Sequence, residues 1–245
     1  MKQLILTIKA ILLIFLLQSC DRTVKEIQGM PQDDNGYNLC LILDGTDRFV
    51  EQNRVPQLSI DEIMELAHRI SEKGKGTFYV TYVDNECDNN HVGIFEWLED
   101  RPMYHGDKPG YMKMTEYEKQ KKVDDDMQES YKCHLADALE EFSRECIVVR
   151  ELAYSDAVAG QKRGSDVNGA INQAGRLLQA SIQEGVHSYI ILVSDGCDNV
   201  GKELNILPPD TELIIVNSNV TKHQYQELVS KEFVTLKQSI NYIFS

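Results

Sequence analysis

The stretch "LCLILDGTDRF", Leu39 to Phe49, runs through five apolar residues and then turns abruptly acidic. A second stretch, "YIILVSDGCDN" from Tyr189 to Asn199, is again an apolar run that ends in Asp-Gly. Continuous apolarity, rather than alternation, marks strands buried on both faces, as in a parallel sheet covered by helices. A buried strand that stops on a carboxylate either turns into solvent or presents that carboxylate to a ligand.

Outward from these runs the pattern alternates. Further strand-length apolar runs lie at Phe78–Val83 and Leu213–Val216. Between them, Ser59-Ile60-Asp61-Glu62 reads as a capping box opening a helix with Ile63, Ala67 and Ile70 on one face and Gly74 at its end. Asp166 to Glu184 places Val167, Ala170, Ile171, Ala174, Leu178 and Ile182 on one stripe, ending at Gly185. Thr221 to Gln224 reads as another capping box, opening a short helix before Phe233–Leu236. Strands alternating with helices predict an α/β fold: a doubly wound, mostly parallel sheet with helices on both faces.

Two regions depart from that alternation. Asn85 to Thr115 predicts a strand or hairpin around "HVGIFEWLED", followed by an exposed insertion. Its Trp97, Tyr104, His105 and Tyr111 suit either a hairpin core or a recognition loop. Glu116 to Glu151 predicts one or two long helices, with Lys121-Lys122 and Asp124-Asp125-Asp126 on a solvated face.

The first residues precede the fold. Lys2 and Lys9 flank and lead into an eight-residue apolar core, Ala10 to Leu17, which Gln18 ends. A spanning helix needs about 20 apolar residues, so the segment suits a cleaved leader better than an anchor. Leu17-Gln18-Ser19-Cys20 resembles the lipobox of bacterial lipoproteins. That resemblance implies a signal peptide over 1–19 and acylation of Cys20, palmitate-type chains holding the protein to a membrane on its extracytoplasmic side. Residues 20–36 then form a tether and 37–245 the folded domain. Ordinary secretion with Cys20 free is the alternative.

Without the leader the chain has 23 basic and 39 acidic residues, a net charge of −16. That balance argues against nucleic acid or an anionic lipid surface as partner. It suits cation binding or solubility alike. Cys40, Cys87, Cys133, Cys146 and Cys197 remain, an odd number with no zinc-ligand spacing. Cys40, inside the first strand, reads as a small core residue.

Asp44 and Asp195 each follow a buried strand, and in a doubly wound sheet ligands bind beyond the strands' carboxyl ends. Gly164-Ser165-Asp166 adds a hydroxyl and free N–H groups at a helix start. Two carboxylates brought together repel, and a hard divalent cation resolves that repulsion. Magnesium accepts one or two carboxylates with hydroxyls and waters.

These residues resemble the von Willebrand factor type A (VWA) domains. Their metal-ion-dependent adhesion site (MIDAS) uses Asp-x-Ser-x-Ser, then a Thr before a later helix, then an Asp after a later strand. Asp44 matches the leading Asp, Thr46 the first Ser, Ser165 the Thr, and Asp195, in "LVSDG", the final Asp. The resemblance runs from Tyr37 to the C-terminus. It implies a protein-binding module, not an enzyme, in which Mg2+ (or Mn2+ or Ca2+) is completed by an acidic side chain of the partner. Arg48 stands where the second Ser would be; a guanidinium cannot ligate a cation. It can instead lie across Asp44 and Asp195 as a counter-charge, making the protein a metal-free structural subunit of an envelope assembly. If the loop shifts, Asp47 can take a ligand role.

"ILDGT" also resembles the haloacid dehalogenase phosphatases, whose strand ends Asp-x-Asp-Gly-Thr. The nucleophilic first Asp is here Ile42, which leaves a phosphate-ester hydrolase without its chemistry. The six histidines do not cluster at metal-ligand spacing, and no nucleophile elbow or phosphate loop occurs.

Overall fold

The computed structural model describes residues 36–45, 55–102, 110, 112–155, 164–181, 186–216, 225 and 227–245. Its strands are β1 (Tyr37–Leu43), β2 (Gly76–Tyr82), β3 (Gly93–Trp97), β4 (His187–Val193), β5 (Thr211–Val216) and β6 (Val229–Phe233). Its helices are α1 (Ile60–Lys73), α2 (Met114–Ala153), α3 (Val167–Ala180) and α4 (Leu236–Ile243), with a 3-10 turn at Cys87–Asn89. The strands form one sheet in the order β3-β2-β1-β4-β5-β6. All neighbours pair in parallel except β2 and β3. The fold is the expected doubly wound α/β architecture.

The sheet is buried on both faces because its central strands are apolar at every position. In β1, Leu39, Leu41 and Leu43 face a core shared with α1, α2 and α4, while Cys40 and Ile42 face a core shared with α3. Each such side chain contributes about 1.5–3 kcal/mol on full burial. That is why the uninterrupted apolar runs occupy the middle of the sheet.

The helix ends follow their sequence signals. The Glu62 amide donates to Ser59 Oγ at 3.2 Å and the Ser59 amide to Glu62 Oε2 at 2.8 Å, which is the expected capping box. Gly74 closes α1 with a φ of 139°, a conformation few side-chain-bearing residues adopt. Ile63, Ala67 and Ile70 are buried on α1, and Val167, Ala170, Ile171, Ala174 and Leu178 on α3. Ile182, Gly185, and the capping box at 221–224 lie outside the described residues.

Three expectations are sharpened. Residues 114–153 form one helix, not two; at 1.5 Å per residue it is about 60 Å long. The segment after Asn85 supplies β3, an edge strand of the main sheet. Trp97 is buried and packs edge-on against Tyr131 of α2, whose hydroxyl accepts from its indole N–H at 3.2 Å. Tyr104, His105 and Tyr111 lie outside the described residues. The five cysteines described are free, and Cys40 is buried in the core.

Between β4 and β5 the crossover is an extended loop, not a helix. Leu204 and Leu207 of that loop pack against the α3-side core, taking the place of a second covering helix. The loop therefore runs beside the start of α3, and that neighbourhood builds the candidate site. Among the described residues no helix is both long and apolar enough to cross a membrane.

Candidate functional site at the carboxyl edge of the sheet

The sheet's strand order reverses between β1 and β4, the place where doubly wound folds open a crevice. Asp44 follows β1 directly, and Asp195 lies two residues past β4. Both are buried, at 6% and 5% exposure. Asp44 is held rigidly: its amide donates to the Val193 carbonyl at 3.1 Å, carrying the β1–β4 ladder one residue beyond the strands. On the other side the Val83 amide donates to the Leu43 carbonyl at 2.8 Å.

Ser194, between β4 and Asp195, joins the two strand ends. Its hydroxyl donates to Asp44 Oδ2 at 2.5 Å and accepts from the Gly196 amide at 3.0 Å. Gly196 reaches that position with a φ of 73°, so the Asp-Gly step allows the chain to fold back over its own strand end. The Cys197 amide donates to Asp195 Oδ1 at 2.9 Å. Asp195 makes no ion pair among the described residues.

Ser165, 2% exposed, stands just before α3. The loop carrying Asp195 grips it: the Ser165 amide donates to Asn199 Oδ1 at 2.5 Å, and the Asn199 amide to the Ser165 carbonyl at 3.2 Å. The helix-start amides expected to be free are occupied. Asp166 caps α3 by accepting from the Gly169 amide at 2.9 Å, and Asp198 accepts from the Asn168 amide at 3.2 Å. Those donors thus serve the fold and not an anion.

Beside this cap, Lys202 bridges two carboxylates. Its ammonium lies 2.7 Å from Oδ2 of the fully buried Asp166 and 3.0 Å from Asp88 Oδ2. The two carboxylates, Asp166 first, hold the lysine proton above its ordinary range. Asp166 Oδ2 also accepts from the Cys87 amide at 3.2 Å.

Tyr154, at the end of α2, closes another side. Its hydroxyl accepts from the Leu58 amide at 3.1 Å. Burial pushes that hydroxyl up to about 12, the Leu58 and Arg150 contacts offset part of the rise, and Asp44 adds to it. The phenol stays neutral.

The fold thus brings Asp44 and Asp195 to one edge through Ser194, and ties Ser165 to the Asp195 loop through Asn199. Thr46, Asp47, Arg48 and Cys20 lie outside the described residues. Ser194, Asn199 and Lys202 were not singled out by sequence. A hydroxyl next to an Asp-Gly strand end was a visible signal for Ser194, whereas Asn199 and Lys202 sit in an unpatterned loop.

Asp44, Asp195, Ser165 and Ser194 offer side-chain oxygens, the donors that hard divalent cations accept. Among the described residues no three His, Cys, Asp or Glu side chains gather as metal ligands. A cation here would rest on two carboxylates completed by hydroxyls and water. Compared with protein families, characterised proteins and solved structures, the chain matches none.

Proposed function

We propose that the chain is a VWA-like protein-binding module, exported, acylated at Cys20 and tethered to a bacterial envelope membrane on its extracytoplasmic side. The observation that carries this reading is the pair of buried carboxylates, Asp44 and Asp195, at the ends of the two strands flanking the switch point. Asp44, Thr46, Ser165 and Asp195 would hold Mg2+, Mn2+ or Ca2+. A bound cation would supply a coordination position for an acidic side chain of the partner. The chain's own part is to fix Asp44 through the extended ladders and Asp195 through the Asp-Gly turn.

A second reading draws on one contact. Because Ser194 already donates to Asp44 Oδ2, the carboxylate is partly satisfied within the protein. On that reading the module is a metal-free structural subunit of an envelope assembly, with Arg48 as the counter-charge.

Thermal unfolding of the detergent-solubilised chain separates the two. A native-state ligand at 100 times its dissociation constant adds about 2.7 kcal/mol. The first reading expects a rise of that order with Mg2+, Mn2+ or Ca2+ over EDTA, abolished by Asp195→Ala. No rise with any of the three cations overturns it in favour of the second.

A further inference from the structure

A second surface lies far along the sheet order from that edge, beside the terminal strand. β3 pairs with β2 on one side; on its other side no strand pairs with it among the described residues. There a cleft of about 310 Å³ opens between the strand and α2. Three consecutive strand residues, Ile94, Phe95 and Glu96, line it, so it follows the strand's edge and not one face. From α2 come Glu141, Phe142 and Glu145.

The cleft's floor is fixed and apolar. Phe95 and Phe142 are each 1% exposed, with ring centroids 5.5 Å apart. Its rim is acidic. On the α2 side the Glu141 side chain makes no hydrogen bond or ion pair among the described residues, while the Glu145 carboxylate is met by His91 Nε2 at 2.7 Å. On the sheet face away from α2, Ile94 and Glu96 alternate with the buried Phe95 and Trp97; Ile94 is 54% exposed and Leu98, just past the strand, 46%. An edge strand's unpaired N–H and C=O groups form a template on which another chain can add a strand.

We propose that the outer edge of β3 and the cleft beneath α2 bind an extended segment of a basic partner protein by strand addition. Side chains of an added strand alternate between the two faces of the sheet. Those directed toward α2 would be lysine or arginine, the aliphatic stem over Phe95 and Phe142 and the charge between Glu141 and Glu145. Those directed the other way would be apolar and cover Ile94 and Leu98. At about 310 Å³ the cleft has room for one long side chain of the added strand. The chain's net acidity favours the same choice of partner. This surface involves none of the carboxylates at the switch point, so it stands apart from the cation reading.

The probe is a fluorescent Lys-Val-Lys-Val-Lys-Val peptide, with Glu-Val-Glu-Val-Glu-Val as its counterpart, titrated by anisotropy against the detergent-solubilised chain. The lysine peptide is expected to bind and the glutamate peptide not. Glu141→Lys, at an exposed position on α2, should weaken binding by on the order of tenfold by placing like charges together. EDTA should change nothing. Equal binding of both peptides, no binding of the lysine peptide up to about 1 mM, insensitivity to Glu141→Lys, or loss in EDTA would each overturn the proposal. Sedimentation of the chain alone supplies one more arm: self-association abolished by Glu141→Lys would give the edge to a second copy and overturn it as well.

Discussion

The hydroxyl of Ser194 donates to Asp44 Oδ2 across 2.5 Å, although 150 residues separate the two in sequence. This contact joins the ends of β1 and β4, and the partner is a buried carboxylate. Hydrogen bonds to charged groups contribute about 1.5–3 kcal/mol, and a buried acceptor that loses its donor also retains its desolvation cost. Ser194→Ala should therefore destabilise the chain by about 1.5–3 kcal/mol, seen as a lower midpoint in urea with an unchanged slope. If Ser194→Ala unfolds like the wild type, the bond is not a source of stability. Added magnesium that restores the variant would show a cation taking over from the hydroxyl.

Gly45, next to Asp44, is pressed against the end of α2. A Cβ built there would stand 2.1 Å from the Ala153 carbonyl oxygen and 2.9 Å from Tyr154 Cδ1. The first of these is backbone, which cannot swing aside. Gly45→Ala should cost about 1–3 kcal/mol through displacement of α2 or of the strand end. At about 2–4 °C per kcal/mol for a domain of this size, the melting temperature should fall by roughly 2–12 °C. Gly110→Ala, where a Cβ meets nothing within 4 Å, is the matched control and should melt within a degree or two of the wild type.

The central sheet was legible because burial on both faces demands apolar residues at every position, and Leu39–Leu43, Phe78–Val83, Tyr189–Val193 and Leu213–Val216 supply them. β6 was not. As an edge strand it reads Val-Ser-Lys-Glu-Phe with its three middle residues exposed, so neither a continuous nor an apolar-alternating pattern marks it. The capping box from Thr235 to Gln238 opens α4 and carries the same sequence signal as the one read at 221–224, which lies outside the described residues. At the site, strand ends placed Asp44 and Asp195 at the same edge. The contacts of Asn199 and Lys202 with the start of α3 span more than 30 residues, and no local periodicity carries such pairings.

Lys202 gives the clearest dependence on pH. Removing it, as in Lys202→Met, leaves the fully buried Asp166 with its two amide donors and no counter-charge. Loss of one partner from a fully buried pair costs about 3–5 kcal/mol; with Lys202 itself one-third exposed and the amides retained, about 1–3 kcal/mol is expected. The folded lysine holds its proton more tightly than the unfolded one, whose ordinary value is 10.5. The stabilisation is therefore fully present below that value and is lost as pH rises above it toward the folded value. Wild type and Lys202→Met should differ in denaturant midpoint at pH 7 and converge at strongly alkaline pH. A constant gap at all pH values would assign the effect to packing of the lysine stem.

Cysteine reactivity can report on the site. Cys133 and Cys197 are exposed, whereas Cys40, Cys87 and Cys146 are buried. Burial pushes the Cys87 and Cys146 thiols up to about 12 and the Cys40 thiol higher still, so at pH 7 none of the three offers a thiolate. Maleimide labelling of the native chain, mapped by peptide mass, should modify Cys133 and Cys197 quickly and the other three only after denaturation. Cys197 carries the amide that donates to Asp195 Oδ1, so it responds to whatever happens at that carboxylate. If a divalent cation or an acidic partner engages Asp195, labelling of Cys197 should slow severalfold while that of Cys133 is unchanged. Equal rates at both thiols with EDTA, with magnesium and with the partner present would mean that the Asp195 edge is not where binding occurs.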